Sequence, residues 1–327
     1  MCLGDAKQIT FAKTAKGILD WRPEKCLGQL SLPGCEVDLG IEDLTISIAA
    51  SKGAKTLILG VAPLGGELPQ SWHAMLFEAL ESGLDIANGL HDKLENIPNL
   101  VETANRLGRI LTDVRYSKDT YPIATGKKRQ GMRLLTVGTD CAVGKMYTTL
   151  AIEKAMKVRG MDADFRATGQ TGILITGSGI PIDAVICDFT SGAAETVSPC
   201  ATSDKHWDII EGQGSLFHPS YAGVTLGLIH GSQPDALVLC HEVGREQVIG
   251  VKGYSTPSFA QCFKTYLNAA KLTNPNAKFI GISVNTSSLS EKQAFSYLNE
   301  IASGTGLPCV DPVRTGVKAI VDVLEKL

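Results

Sequence analysis

The sequence predicts an α/β protein in two parts. The larger, C-terminal part reads as a P-loop NTPase-like, doubly wound, mainly parallel sheet, and a smaller Rossmann-like α/β domain precedes it. Three observations predict this. Short apolar runs alternate with helix-period stretches along most of the chain. A strand–loop–helix unit carries VGTDCAVGKMYT at 137–148, close to a phosphate-binding loop. The length, 327 residues, suits two domains.

The first part covers residues 1–121. KTLILGVAP at 55–63 is an apolar run closed by Pro and Gly, and reads as a buried strand. Residues 71–82 carry Trp72, Met75, Leu76, Ala79 and Leu80 at helical spacing, with Ser71 placed to cap the helix and Gly83 to end it. LDIANGL follows as a short strand, NLVETANRLGR as a helix and RILTDVRY as a strand, so a small parallel sheet is expected. PIATGKKRQG, at 122–131, is rich in Pro, Gly and charge and reads as a linker.

The second part, 132–327, opens with the strand MRLLTVG, the loop, and a helix over 144–159. The apolar runs DADFRAT, DAVICDF, HWDIIEG, DALVLCH, KFIGISVN and LPCVDPV follow. Helical stretches such as SFAQCFKTYLNAAKL and SEKQAFSYLNEIASGTG lie between them, and GVKAIVDVLEKL closes the chain. In such a sheet, ligands bind outside the carboxyl ends of the strands.

Composition narrows the function. The net charge of −3 argues against a general nucleic-acid binder and for a small substrate. Apolar residues make up 44% of the chain, enough for a sizeable core. Nine cysteines are scattered without a CxxC pair or zinc spacing, which fits a reducing cytoplasm. No signal-like or membrane-spanning apolar run is present, so a cytoplasmic protein without membrane contact is expected.

The loop residues Gly138, Thr139, Asp140, Cys141, Ala142, Val143, Gly144, Lys145 and Met146 are the candidate anion site. Backbone N–H groups in such a loop point into one concavity, the helix adds its positive end, and Lys145 adds charge. The pattern departs from a nucleotide-hydrolysing loop in two places. Thr139 stands where the first glycine is usual, with Gly138 one residue earlier, and Met146 stands where a Ser or Thr hydroxyl holds magnesium. A thioether does not hold magnesium, and Thr148 and Thr149 lie too far along the helix. The loop is therefore expected to hold phosphates as a handle rather than to break them. Coenzyme A is a ligand of that kind.

Other candidates lie at strand ends. Glu211, in IIEGQGSLFHPSYAG, closes an apolar run and is a candidate base, metal ligand or helix cap; His218 is a second candidate base. Arg245, with His241 and Glu242, lies past another strand end. In the first part, His91 and Arg115 both end strand candidates, and Lys16 and Arg22 are further loop cations. Gln170 sits in ATGQTG after the run that ends at Arg166. Ser191 reads as an N-cap, and Glu195 as a site acid or a solvated first-turn carboxylate.

GTDCAVGK resembles the loop of dethiobiotin synthetase and its relatives, and EGQGS resembles their Glu-Gly-Ala-Gly stretch. A wider resemblance covers almost the whole chain. GTDCAVGKM, ATGQTGILI, DFTSGAAE and EGQGSLFHPSYAGVTLGLIHGSQPD, with GGELPQSW, GLDIANGLH and DVR, resemble the DgcN-type D-glutamate N-acetyltransferases. Met after the loop lysine separates that group from ATP users. The resemblance implies acetyl transfer from acetyl-CoA to the amino group of D-glutamate or a related D-amino acid, with residues 138–146 as the coenzyme A phosphate site.

The expected mechanism is direct and needs no metal. The thioester extends into an interdomain crevice, and Arg115, with Arg166 or Arg245 and with His91 and Gln170 nearby, holds the substrate carboxylates. Glu211 or His218 takes a proton from the ammonium, and N–H groups at 212–215 face the developing oxyanion. A ping-pong route through Cys141 is disfavoured. The competing readings are an ATP- and magnesium-dependent ligase or kinase of the dethiobiotin synthetase type, and a non-catalytic nucleotide-binding module. Self-association into a homo-oligomer is expected, as is common among related two-domain α/β enzymes.

Overall fold

The computed structural model describes residues 1–61, 66–116 and 119–327. The chain divides into two compact units: Met1–Lys118 with Gln170–Ala184, and Asp119–Gly169 with Val185–Leu327. The second unit thus begins before residue 132, and residues 170–184 belong to the first unit rather than to a contiguous C-terminal part.

The first unit contains β1 (Cys2–Gly4), α1 (Lys13–Trp21), β2 (Leu30–Ser31), α2 (Ile46–Ser51), β3 (Thr56–Ile58), α3 (His73–Glu81), β4 (Asp85–Asn88), α4 (Leu100–Leu107) and β5 (Leu111–Asp113). Strands β3, β4 and β5 form the expected parallel sheet, in that order. Strand β1 was not legible in the sequence. It pairs in parallel with β2, and its Cys2 bridges Leu59 just past β3. Leu3, Leu59, Leu76, Leu80 and Ile86 are buried at the centre of the core. Of KTLILGVAP, Ala62 and Pro63 lie outside the described residues, as does Gly65 of GGELPQSW.

Helix α3 starts later than its capping serine suggests. Ser71 lies within a 3-10 turn, Gln70–Trp72, and makes no cap. Burial of Trp72 sets the start instead: its ring packs over Gly4, where a Cβ would lie 2.1 Å from the indole. Gly83, at φ +84, ends the helix as expected.

The second unit carries β6 (Met132–Gly138), α5 (Lys145–Val158) and β7 (Ala163–Arg166). The chain then gives α6 (Gln170–Thr176) to the first unit. There the Thr171 hydroxyl reaches Thr14 of α1, and the Arg22 Nε donates to the Ile175 carbonyl. The second unit resumes with α7 (Thr190–Val197), β8 (Trp207–Ile210), α8 (Ala222–Ser232), β9 (Ala236–Glu242), α9 (Phe259–Ala270), β10 (Lys278–Asn285), α10 (Glu291–Thr305), β11 (Cys309–Val310) and α11 (Lys318–Leu324). Its six strands are parallel, in the order β11-β10-β9-β6-β8-β7.

The central strands are apolar on both faces because helices cover both. Leu134, Leu135, Ile209 and the run 236–240 are almost wholly buried. Helices α9 and α10 each start on a complete capping box, Ser258 with Gln261 and Ser290 with Gln293. The order of strands reverses across β6: β7 and β8 lie to one side, β9 to β11 to the other. The loop after β6 therefore emerges at a topological switch point, where such sheets bind ligands.

Three local expectations are revised. DAVICDF forms two 3-10 turns, Ile182–Ala184 and Cys187–Phe189, rather than a strand. Pro181 precedes it without an N–H, and Ile186 is 71% exposed, so the run has no buried face. Ser191 is not a cap. It sits inside α7, where small residues let α8 approach: a Cβ on Gly231 would lie 2.1 Å from the Ser191 carbonyl. Glu195 is neither a solvated nor a site acid. Its carboxylate accepts N–H bonds from Thr125 and Gly126 at 2.9 Å and lies 3.6 Å from the Arg129 guanidinium. Residues 122–131 thus lack regular structure, as a linker would, yet are fastened to the second unit. Among the described residues no helix is long and apolar enough to cross a membrane.

Candidate functional site

The loop is built on the end of β6. The Gly138 carbonyl accepts from the Tyr266 hydroxyl at 2.7 Å and from Ser215 Oγ at 2.9 Å. The Thr139 N–H donates to the Cys240 carbonyl, and its hydroxyl meets His241 Nδ1 at 3.0 Å. Ala142 (φ 55) and Gly144 (φ 89) adopt the left-handed conformation at alternate positions. That alternation gathers successive N–H groups into one concavity, a nest for anions. The nest opens at the N-terminus of α5, a 14-residue helix whose dipole favours negative charge there.

Lys145 is the first residue of that helix and is only 7% exposed. Its ammonium donates to the Asp140 carbonyl at 2.9 Å, folded back along the loop. Two glycines make room for it. A Cβ on Gly138 would lie 2.9 Å from Lys145 Nζ, and one on Gly212 would lie 1.7 Å from the Thr136 carbonyl and 3.0 Å from Lys145 Cδ. Burial pulls the lysine below its ordinary range, opposed by Cys141, Cys240, Asp140 and Glu211. A charge held out of water in this way gains most from an anionic partner.

No hydroxyl occupies the magnesium position. Met146 stands there, half-buried. The Thr148 hydroxyl bonds the Gly144 carbonyl and Ser283 Oγ, and Thr149 bonds the Lys145 carbonyl and Thr136. Asp140, Cys141 and His218 bring possible ligand atoms within 4.8 Å of one another. Asp140 and His218 are committed elsewhere. The Asp140 carboxylate accepts from the Cys141 N–H at 2.7 Å, the Ile249 N–H at 2.8 Å and Arg245 Nη1 at 2.9 Å. His218 Nδ1 accepts from the Ser220 N–H at 3.1 Å.

The two expected bases part company here. His218 is 3% exposed, and with Nδ1 accepting, its Nε2 proton goes to the Ile249 carbonyl at 3.1 Å. No ring lone pair is left to take a proton, so His218 is not the base in this arrangement. Glu211 is 4% exposed, directly after β8. Its Oε2 accepts from the Thr168 and Gly169 N–H groups at 3.0 and 3.1 Å, bracing the turn after β7. It also lies close enough to Lys145 to oppose the effect of burial on it.

The arginines are placed differently from the expectation. Arg166 bonds Asp208 at 2.5 Å and pairs with Asp164 at 3.5 Å. Asp164 and Asp208 face each other in the β7–β8 ladder two residues before its end, so these pairs draw the Arg166 guanidinium back from the strand termini. Arg245 grips Asp140 and Glu242, making it part of the loop's support.

In the first unit, Arg115, His91 and Gln170 do gather beyond β4 and β5. Arg115 pairs with Asp183 and donates Nε to the Gly89 carbonyl. Gln170 packs against Gly89, and its side-chain oxygen is buried without a hydrogen-bond partner among the described residues. His91 is exposed, its backbone held by Gly66 and by the Tyr116 hydroxyl.

Sequence reasoning missed Tyr266, Ser215 and the glycine at 212 as parts of the loop's scaffold, and Thr168 as a donor to Glu211. Ser215 stands in the quoted EGQGS. Tyr266 has no local signal, because its hydroxyl reaches the loop from a helix far along the chain, 128 residues after Gly138. His241 is also new as a loop contact. Burial, with Arg245 nearby, lowers its pKa to about 4. The native state thus resists protonation that the unfolded chain accepts near 6.5. Stability should therefore be flat above about pH 6.5 and fall on acidification from there to about 4, by at most ~1.4 kcal/mol per pH unit from this group. Urea titrations of the wild type and His241→Asn between pH 4 and 8 check this: the Asn variant should lose that part of the slope.

Comparison with known proteins agrees with this architecture. A family model for the DUF1611 C-terminal P-loop domain, a domain of unknown function, matches residues 122–321. Its N-terminal, Rossmann-like counterpart matches 30–117. A D-glutamate N-acetyltransferase of Tritonibacter scottomollicae is 52% identical over 98% of this chain and 96% of its own length. A D-glutamate N-acetyltransferase of a Pseudoalteromonas species is also 52% identical, with the same coverage. The crystal structure of a DUF1611 family protein from Anabaena variabilis superposes with a TM-score of 0.87 at 34% identity, covering 97% of this chain and 96% of that one. With both modules in place and half of its residues shared along nearly its whole length, the chain belongs to the D-glutamate N-acetyltransferase family.

Proposed function

We propose that this chain transfers an acetyl group from acetyl-CoA to the amino group of D-glutamate, and that residues 138–146 hold the phosphates of the donor. The activity follows the two relatives. The observation that carries the donor assignment is the buried Lys145 in an anion nest next to Met146. Such a loop suits a ligand whose phosphates are gripped while its chemistry lies elsewhere. The Thr148 and Thr149 hydroxyls, spent on the helix and its neighbours, do not replace the missing metal ligand.

In the reaction, the amine nitrogen attacks the thioester carbon, the C–S bond breaks, and the thiol leaves with a proton. Only the neutral amine attacks, so a base takes one ammonium proton. Glu211 is our choice, because His218 is fully engaged. In the first unit, Arg115, His91 and Gln170 are proposed to receive the acidic substrate. Arg115 offers a guanidinium to a carboxylate in exchange for Asp183. The unpaired Gln170 oxygen offers an acceptor to an ammonium N–H.

Thiol release from acetyl-CoA tests this reading. One thiol should appear per D-glutamate consumed, with L-glutamate slower and EDTA without effect. Magnesium-dependent ADP release from ATP, with no thiol release, would overturn it in favour of a ligase.

A further inference from the structure

Asp140 is an unexpected residue inside a phosphate cradle. Its carboxylate is wholly buried, and a bare negative charge there would oppose the anion the loop is shaped to receive. Three donors meet it: the N–H groups of Cys141 and Ile249, and the guanidinium of Arg245. Arg245 is the cation of the three. Its other nitrogen pairs with Glu242, which also accepts from Asn285 Nδ2 at 3.4 Å.

Ile249 is held at both of its backbone groups, its N–H by Asp140 and its carbonyl by His218. It belongs to a short hairpin closed by Val248 N–H to the Tyr254 carbonyl at 2.8 Å and Thr256 N–H to the Glu246 carbonyl at 2.9 Å. Asp140 therefore does two things at once. It ties the loop to this hairpin, and it brings a charge that Arg245 cancels.

We propose that Arg245 and Asp140 form a positioning pair that sets the charge of the phosphate loop, while His218 holds the hairpin in register through Ile249. With Arg245 present, the Asp140 charge is countered, and Lys145, the helix end and the N–H nest meet the phosphate without its opposition. Without it, a buried carboxylate faces the incoming polyanion. Arg245 is then neither a contact for the amino-acid substrate nor a catalytic residue. This rests on the reading of the loop as the donor's phosphate site.

The test is a double-mutant cycle on the full chain, with calorimetry of coenzyme A and of inorganic pyrophosphate, and KM for each substrate. Arg245→Met should weaken both ligands by 10-fold or more on the order expected for a stranded buried charge, with the KM for D-glutamate within about twofold. Arg245→Lys, which keeps the charge, should recover most of the affinity. Asp140→Asn combined with Arg245→Met should bind at least 10-fold tighter than Arg245→Met alone, a difference of about 1.4 kcal/mol, and the coupling is that difference less the effect of Asp140→Asn alone.

Absence of that rescue, or a rise in the D-glutamate KM with ligand binding intact, overturns the pair. If Arg245→Met fails to fold, Arg245→Lys and the double variant are measured against the wild type: affinities within about tenfold of it support the pair, and a weaker double variant overturns it. A wild-type protein that binds pyrophosphate but not coenzyme A would refute the donor assignment alone; the pyrophosphate cycle would still judge the pair.

Discussion

Lys145→Met is expected to lose at least about 100-fold in kcat/KM for acetyl-CoA while the protein stays folded. The two halves of that expectation have separate causes. Lys145 carries the side-chain charge in the nest, and it is held out of water, where a charge-assisted bond to phosphate is worth several times its value at a surface. Removing it leaves a nest of N–H groups that grip a phosphate far less well. Methionine, however, has nearly the same length and lies along Gly212 as the lysine stem does. It removes a buried ammonium whose desolvation already lowers its pKa.

Against that relief stand the lost bond to the Asp140 carbonyl and the lost cation beside Glu211. These opposing terms are each about 1–3 kcal/mol, so the thermal midpoint should move by only a few degrees. Calorimetry with coenzyme A, thermal melts and initial rates measure both halves. Coenzyme A affinity unchanged in the variant would remove the loop from the donor site. The same burial gives a pH signature in the wild type. Coenzyme A binding should weaken on the alkaline side earlier than an ordinary lysine would dictate, because the ammonium loses its proton sooner.

The sequence carried the frame of this molecule further than its fittings. The central strands of the second unit were legible because both faces of a parallel sheet are buried there, so they read as largely apolar runs bounded by turns. The loop was legible because its glycines and lysine are adjacent in the chain. What failed was whatever depends on a partner far along it. Ser71 and Ser191 look like caps in isolation, yet burial of Trp72 on Gly4 and the close approach of α8 at Gly231 decide where those helices begin. Arg166 and Arg245 look like free cations at strand ends, yet Asp208 and Asp140 claim them. His218 looked like a base because a histidine's chemistry is visible in the sequence, whereas the Ser220 N–H and Ile249 carbonyl that occupy it are not. Exchange of α6 between the units leaves no mark on local composition at all.

Glu211→Gln is expected to lower kcat by about 10²–10⁴-fold, the usual worth of a positioned general base, with the KM for acetyl-CoA unchanged or lower. The substitution separates two roles that the carboxylate combines. Its Oε2 accepts the N–H groups of Thr168 and Gly169, and a glutamine oxygen still accepts both, without the added strength of the charge, so the turn after β7 keeps most of its brace. The amide cannot take a proton from the substrate ammonium. Loss of the negative charge removes a support for the Lys145 ammonium, but it also removes a repulsion toward phosphate, and a bound phosphate itself holds the ammonium charged, which is why donor binding should not suffer. Without an internal base, the variant depends on amine already deprotonated in solution. Its rate should climb about tenfold per pH unit below the amine's pKa, where the wild type is flatter. Glu211→Ala removes brace and base together, and should add a stability loss of about 1–3 kcal/mol from the two stranded N–H groups. Wild-type turnover in Glu211→Gln, with the stability loss confined to the alanine variant, would make Glu211 a brace alone and require the ammonium proton to leave by another group.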